Sequence, residues 1–325
     1  MSRPVYALHS ALAVPIASFL RYKQALNRKY RTEAAALRLL DRYLADQGVT
    51  AWHEIGPCLI DTFLASRPRR RPRSYNHLRG VIHRFFGWAI VQELTELNPV
   101  QAPLRRVTSH RLPFLFDLPA ATRLLAVARS LPDRAKAAHR GMVYETVFAL
   151  LYGLGLRVGE VARLLVSDFD AGRDTLFIRD TKFSKSRLVP MGPRLSDRLR
   201  RYLTEVGISA TQDDARPMFS FTRRGCIHAD TISQTFHHLV PQLDLAISPG
   251  VSPLRLHDLR HSFAVATLTR WYRQGVDPTR RLIHLSTFLG HVSPTSTAVY
   301  LTMTEELLHQ ANLRFHAFAA PGGEP

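Results

Sequence analysis

Cysteine is almost missing from this chain. Cys58 and Cys226 are the two present among 325 residues, and no CxxC pair occurs, so neither a disulfide framework nor a cysteine-based zinc site can be assembled locally. Acidic side chains are scarce as well: 26 Asp and Glu face 44 Lys and Arg, a formal charge of +18, with a pI near 10.8. Long apolar runs are lacking. No stretch of about 18 uncharged apolar residues appears, which counts against a membrane span, and no basic-then-apolar segment opens the chain as a secretion signal would. Neither a glycine-rich phosphate loop nor a clustered carboxylate site is found. The expectation left by these absences is a soluble protein of the reducing cytoplasm, with no cofactor, no metal and no membrane partner. Its excess of positive charge suits a polyanion, and nucleic acid leads that list.

What the chain does have is apolar material, 46% of its residues, enough at this length to bury two cores. From Val14 to about Pro103, apolar positions such as Leu37, Leu40 and Tyr43, then Phe63 and Leu64, then Val81, Phe85, Phe86 and Ala89 recur at spacings of three and four. That period predicts a small helical bundle. Two prolines in Leu97-Asn98-Pro99-Val100-Gln101-Ala102-Pro103 end it, and a basic, poorly periodic run from Arg105 to Arg111 follows. We assign residues 1–104 to the bundle, 105–113 to a linker, 114–318 to a second domain and 319–325 to a disordered tail.

In the second domain, helices are predicted over Ala120–Ser130 and Gly141–Tyr152 before the period changes. Thr175–Ile178 and Arg187–Pro190 read as strands around a turn at Lys182-Phe183-Ser184-Lys185, a hairpin. Helices resume over Leu195–Val206, Asp230–Leu243, His257–Tyr272, Arg281–Leu289 and Ser293–Leu313. The fold expected is mainly α with a small β-hairpin or sheet: an amino-terminal helical bundle plus an α+β domain.

Within the bundle, Ser66-Arg67-Pro68-Arg69-Arg70-Arg71-Pro72-Arg73-Ser74 carries two helix-breaking prolines and five arginines that cannot pack together without counter-charge. A solvated loop is one reading. Because Tyr75, Asn76, His77 and Arg79 adjoin it at a helix start, contact with DNA phosphates through Arg69, Arg70, Arg71, Arg73 and Arg79 is the other. Lys185 in the hairpin turn joins that set.

Four short motifs hold residues that could carry chemistry. Gly153-Leu154-Gly155-Leu156-Arg157-Val158-Gly159-Glu160 closes one helix with glycines and starts another, leaving Arg157 at a helix N-terminus. In His257-Asp258-Leu259-Arg260-His261, residues three apart share a helix face, so His257 and Arg260 point together and one phosphate could touch both. His257 and His261 also stand four apart like two zinc ligands, but the residue after the first is Asp258 rather than the glutamate such a site needs, and no third ligand follows in register. Leu289-Gly290-His291 ends a helix at a glycine, and Tyr300 lies nine residues further on.

The order Arg157, Lys182, His257-x-x-Arg260, Leu289-Gly290-His291 and Tyr300 resembles the signature of the tyrosine recombinase (phage integrase) family over about residues 110–310. The resemblance implies a core-binding, SAM-like bundle that clamps DNA, followed by an integrase-type catalytic domain. It implies that Arg157, Lys182, His257, Arg260, His291 and Tyr300 form the active site, with Glu160 and Asp258 orienting them. Double-stranded DNA is then the partner, bound at a recombination site by a homo-tetramer or by related recombinase subunits.

Such chemistry accounts for the residue types. Attack on a phosphodiester adds charge to a group already anionic, so two guanidiniums, always charged and forked, are the fitting stabilisers. Tyr300 must lose a proton, to His257 or a neighbouring base, while His291 hydrogen-bonds the phosphate. The product is a 3′-phosphotyrosyl bond and a 5′-hydroxyl protonated by Lys182, and a second strand rejoins without ATP. Integration, transposition and dimer resolution are all compatible roles. Apolar Leu307, Leu308, Ala311, Leu313 and Phe315 could pack in cis or against a neighbour. A type IB topoisomerase-like relaxing enzyme and a non-catalytic DNA-binding accessory protein are the alternatives; the separate helical domain disfavours the first and the six-residue set the second.

Overall fold

The computed structural model describes residues 8–26, 28, 30–107, 112–179, 186–208, 215–221, 225–291, 293–302, 309 and 312. It divides into two compact units, residues 1–110 and 111–325.

The first unit is built from α1 (Ala13–Ala25), α2 (Arg31–Asp46), α3 (Pro57–Ala65) and α4 (Pro72–Val91). Prolines open α3 and α4, where a missing N–H costs nothing and a fixed φ already suits a helix. The apolar stripe of α2, Leu37, Leu40 and Leu44, meets Val81, Phe85 and Phe86 of α4 in one core. Phe19 of α1 joins edge-on, its ring centre 5.6 Å from that of Phe85, a favoured aromatic geometry. Buried Asp41 accepts the backbone N–H of His9 and of Ser10 and the Ser10 hydroxyl, which ties the entry to α1 onto α2.

The arginine-rich segment joins α3 to α4. Arg70, Arg71 and Arg73 are exposed, whereas Arg69 and Arg79 are half-buried. Arg79 Nε donates to the Ala102 carbonyl at 2.7 Å, so part of its side chain is structural. Arg105, at the start of the expected linker, packs on the bundle: its guanidinium lies 3.9 Å over the Tyr75 ring and its backbone exchanges two hydrogen bonds with Asn76.

The second unit contains α5 (Leu118–Arg129), α6 (Arg140–Leu154), α7 (Val158–Val161), β1 (Phe169–Asp170), β2 (Thr175–Ile178), β3 (Arg187–Pro190), α8 (Pro193–Glu205), α9 (Ala229–Leu239), α10 (Asp258–Arg273), α11 (Pro278–Leu289) and α12 (Thr295–Ala298). Helix α6 is buried along most of its length and packs against α5, α8 and α10, as a central helix must. The sheet is antiparallel in the order β1-β2-β3, with Leu176 opposite Val189 and Ile178 opposite Arg187. Both strands of the hairpin lie where expected; β1, two residues long, is too short to leave a period in the sequence.

Helix ends shift from expectation by up to three residues, as at α11, which begins at Pro278 rather than Arg281, and other differences bear on the site. The helix foreseen over Asp230–Leu243 becomes a tight 3₁₀ turn at Val240–Leu243, where Pro241 removes a helical donor. His257 stands before the first turn of α10 rather than inside it. After α12 the chain tightens into a 3₁₀ turn over Val299–Thr302, so the long helix foreseen over Ser293–Leu313 does not begin as one regular helix. Leu307, Leu308, Ala311, Leu313 and Phe315, the tail 319–325 and the hairpin turn with Lys182 and Lys185 lie outside the described residues. No helix among the described residues is long and apolar enough to cross a membrane.

Gly155 reverses the chain after α6 with φ of +59°, and a Cβ there would stand 2.6 Å from Phe263 Cδ1 and 2.9 Å from Leu289 Cδ2. Left-handed strain and overpacking therefore add. Gly155→Ala is expected to lower stability by about 2–4 kcal/mol, measured by urea unfolding; a loss under about 1 kcal/mol would show that α10 and α11 yield freely here.

Candidate active site

Three carbonyls at the end of α11 organise the site. Phe288 O accepts Arg187 Nε at 2.8 Å, Leu289 O accepts Arg260 Nη2 at 2.8 Å, and Gly290 O accepts Arg157 Nη2 at 2.8 Å. The last carbonyls of a helix have no intrahelical partner and carry the negative end of its dipole, so cations gather there. Gly290, with φ of +67°, turns the chain away and leaves these oxygens accessible; a Cβ in its place would lie 2.7 Å from Arg187 Nη1.

Each arginine has a second anchor. Arg260, 1% exposed, donates Nη1 to Gly155 O at 2.7 Å. Arg157 caps α7 and donates its backbone N–H and Nη1 to Glu160 at 2.9 and 2.7 Å. Arg187 grips the same carboxylate with two nitrogens at 3.1 and 2.9 Å. Burial pushes the Glu160 carboxyl upward, but hydrogen bonds and charge from Arg187 and Arg157 outweigh it and hold the group below the usual carboxylate range. Burial lowers Arg260 to about 10, helped by Arg157 and Arg187, and it stays charged at neutral pH. Among the described residues no carboxylate lies at ion-pair distance from Arg260.

Tyr300 stands beside this cluster. It is 4% exposed and packs with Ala264, Leu268, Leu285 and Leu289. Its Oη lies 3.0 Å from His261 Nδ1. Burial pushes the phenol up, and Arg260 and Arg157 oppose it only in part. His291 is oriented by a 2.6 Å hydrogen bond between Nδ1 and the buried Thr297 hydroxyl, and its ring lies nearly parallel to that of Tyr300, 6.3 Å between centres. His257 meets His261 edge-on at 4.7 Å and keeps an exposed edge.

Five of the residues expected from sequence, Arg157, His257, Arg260, His291 and Tyr300, thus come together, with Glu160 beneath the arginines. Asp258 stands apart from the clamp: it accepts the backbone N–H and guanidinium of Arg255 at 2.8 and 3.0 Å, which shapes the turn that presents His257. Three partners went unread in the sequence. In sequence His261 reads as half of an incomplete metal pair, although its place one turn after His257 puts both on one face. Arg187 read as a strand residue and Thr297 as a spacer; their partners are about 100 residues away for Arg187 and across a turn for Thr297, beyond any periodic pattern.

Two anchored guanidiniums, three histidines and a buried tyrosine hydroxyl are thus gathered around the end of α11. Residues 121–306, more than half of the chain, match the phage integrase family, and the chain belongs to that family; it is a site-specific recombinase. An integrase/recombinase named y4rB from Sinorhizobium fredii is 39% identical over 204 residues, 62% of this chain and 65% of that protein. A second from the same organism, y4rE, is 29% identical over 301 residues, 92% of this chain and 94% of that one. In fold, the Tn1549 transposon integrase, solved in complex with transposon right end DNA, superposes with a TM-score of 0.66 at 18% identity, over 94% of this chain and 99% of that chain.

The histidines make the site acid-sensitive. Desolvation first, then neighbouring charged groups, lower His257 and His291 to about 4 and His261 to about 3. In the unfolded chain the same rings take protons near pH 6.5. Between these limits the unfolded chain binds more protons, so this stabilisation is present above about pH 6.5 and lost as pH falls toward 4. Thermal melts of the DNA-free protein should show the midpoint dropping across that window, less steeply in His261→Gln; an unchanged slope in the variant would contradict the assignment.

Proposed function

We propose that the chain cleaves and rejoins double-stranded DNA at a recombination site through a 3′-phosphotyrosyl intermediate on Tyr300, with Arg157 and Arg260 as the phosphate clamp. The observation that supports this most is the buried Arg260 guanidinium, without a carboxylate partner among the described residues, fixed beside Arg157 on consecutive carbonyls next to a buried tyrosine hydroxyl. A buried cation of this kind is stabilised by an anion arriving from outside. One phosphodiester oxygen on each guanidinium would receive the charge that builds during attack.

Glu160 serves this arrangement by holding Arg157 and Arg187 in place rather than by reacting. His257 and His291 are placed to hydrogen-bond the non-bridging oxygens, and Lys182 is the acid for the departing 5′-oxygen. Asp258 positions His257 through Arg255. The amino-terminal bundle clamps the duplex, with exposed Arg70, Arg71 and Arg73 on phosphates; Arg69, Arg79 and Lys185 are further contacts. Two duplexes and four strand cleavages call for a homo-tetramer, or a mixed one with related subunits, assembled on DNA in the cytoplasm. Integration or transposition of mobile DNA is the role that the relatives named integrase/recombinase favour.

A nicked suicide substrate, which loses its 5′-hydroxyl fragment on cleavage, tests the reading. The unaltered protein is expected to accumulate a covalent adduct and Tyr300→Phe none; an adduct that survives Tyr300→Phe would sink the proposal. On the same substrate Arg157→Lys and Arg260→Lys should each slow adduct formation by about 10²- to 10³-fold, because an ammonium keeps the charge but loses the fork.

A further inference from the structure

Tyr300 cannot attack phosphorus while it keeps its proton, and the sequence leaves the acceptor open between His257 and a neighbouring base. The geometry points to His261: we propose that its Nδ1 receives the Tyr300 hydroxyl proton during strand cleavage and returns it during rejoining. This rests on Tyr300 as the nucleophile.

The argument is one of reach. The 3.0 Å between His261 Nδ1 and Tyr300 Oη is a direct hydrogen bond, and a general base must stand at that distance from the proton it takes. Tyr300 is 4% exposed, so bulk water has little access to its hydroxyl. His257 keeps an exposed edge and touches the His261 ring, which leaves it on the open side of the site, facing arriving phosphate. The two histidines, one helical turn apart on α10, thereby divide the labour.

The groups facing His261 are His257, Arg255 and Arg260 around the start of α10, His291 after α11, and Tyr300. Before DNA arrives, desolvation first and then the neighbouring arginines keep His261 neutral, and with its proton on Nε2 the ring offers the Nδ1 lone pair to the phenol. A bound phosphodiester offsets the charge of Arg260 and Arg157 and raises the proton affinity of the ring. The base therefore gains strength when the substrate is in place.

In the step itself the Oη–phosphorus bond forms as the phosphorus–O5′ bond breaks. The phenolic proton passes to Nδ1, giving an imidazolium, and O5′ takes a proton from the Lys182 ammonium. Rejoining reverses each transfer, with the imidazolium protonating the departing Oη.

Single-turnover cleavage of the nicked site, compared between an ordinary O5′ leaving group and a bridging 5′-sulfur that leaves without a proton, provides the test. Asparagine can keep a hydrogen-bonding group near Nδ1 but cannot take a proton. His261→Asn is expected to bind DNA like the unaltered protein yet form adduct about 10²-fold more slowly on both substrates. Its rate should climb roughly tenfold per pH unit toward the phenol pKa, as hydroxide takes over. His261→Gln repeats the measurement should the Asn variant fail to bind DNA. Cleavage by either variant within about threefold of the unaltered protein, or rescue by the sulfur leaving group, would overturn the assignment. Absence of adduct from the unaltered protein would instead remove Tyr300 as nucleophile.

Discussion

The end of helix α11 is the constraint on which the site depends. Three successive carbonyls there hold Arg187, Arg260 and Arg157, which come from positions 101, 29 and 133 residues away respectively. Like charges repel strongly at such range, and the arrangement persists because the helix terminus offers its unsatisfied oxygens and the negative end of its dipole. Glu160 neutralises part of the remainder, gripped by two of the three arginines. One helix terminus thus stitches β3, α7 and α10 together around a residual positive charge.

That residual charge sets the behaviour of everything near it. Glu160 stays ionised despite burial, and the three histidines stay neutral well below their ordinary range, as hydrogen-bonding groups rather than cations. Tyr300, by contrast, is held on an apolar cluster where burial favours the protonated phenol. The protein therefore rests with a protonated Tyr300 phenol beside a strongly electropositive cluster. Charge brought by a phosphate changes the balance for all of these groups at once, because they share the same few ångströms of low-dielectric surroundings.

Much of this was legible beforehand. Hydrophobic spacing disclosed α2, α4, α6 and α10, and the alternation at Thr175–Ile178 and Arg187–Pro190 located two strands to the residue, since these signals depend on near neighbours. Arg157, His257-x-x-Arg260, Leu289-Gly290-His291 and Tyr300 stood out because their order and spacing resemble the family's signature. Other features left no trace: β1 is too short to show a period, and Pro241 altered a helix end that periodicity ran through.

The amino-acid sequence by itself determined the chemistry available to this protein: a large positive charge, two forked cations, histidines and one tyrosine in a fixed order, with no thiolate metal site. Tertiary structure decided which groups meet. That His261 rather than His257 touches the Tyr300 hydroxyl, that Arg187 shares Glu160 with Arg157, and that one helix end holds three arginines all depend on packing between α10, α11 and β3. Contacts between residues far apart in the chain are set by how helices cross and where a glycine turns the backbone, and local spacing carries no record of either.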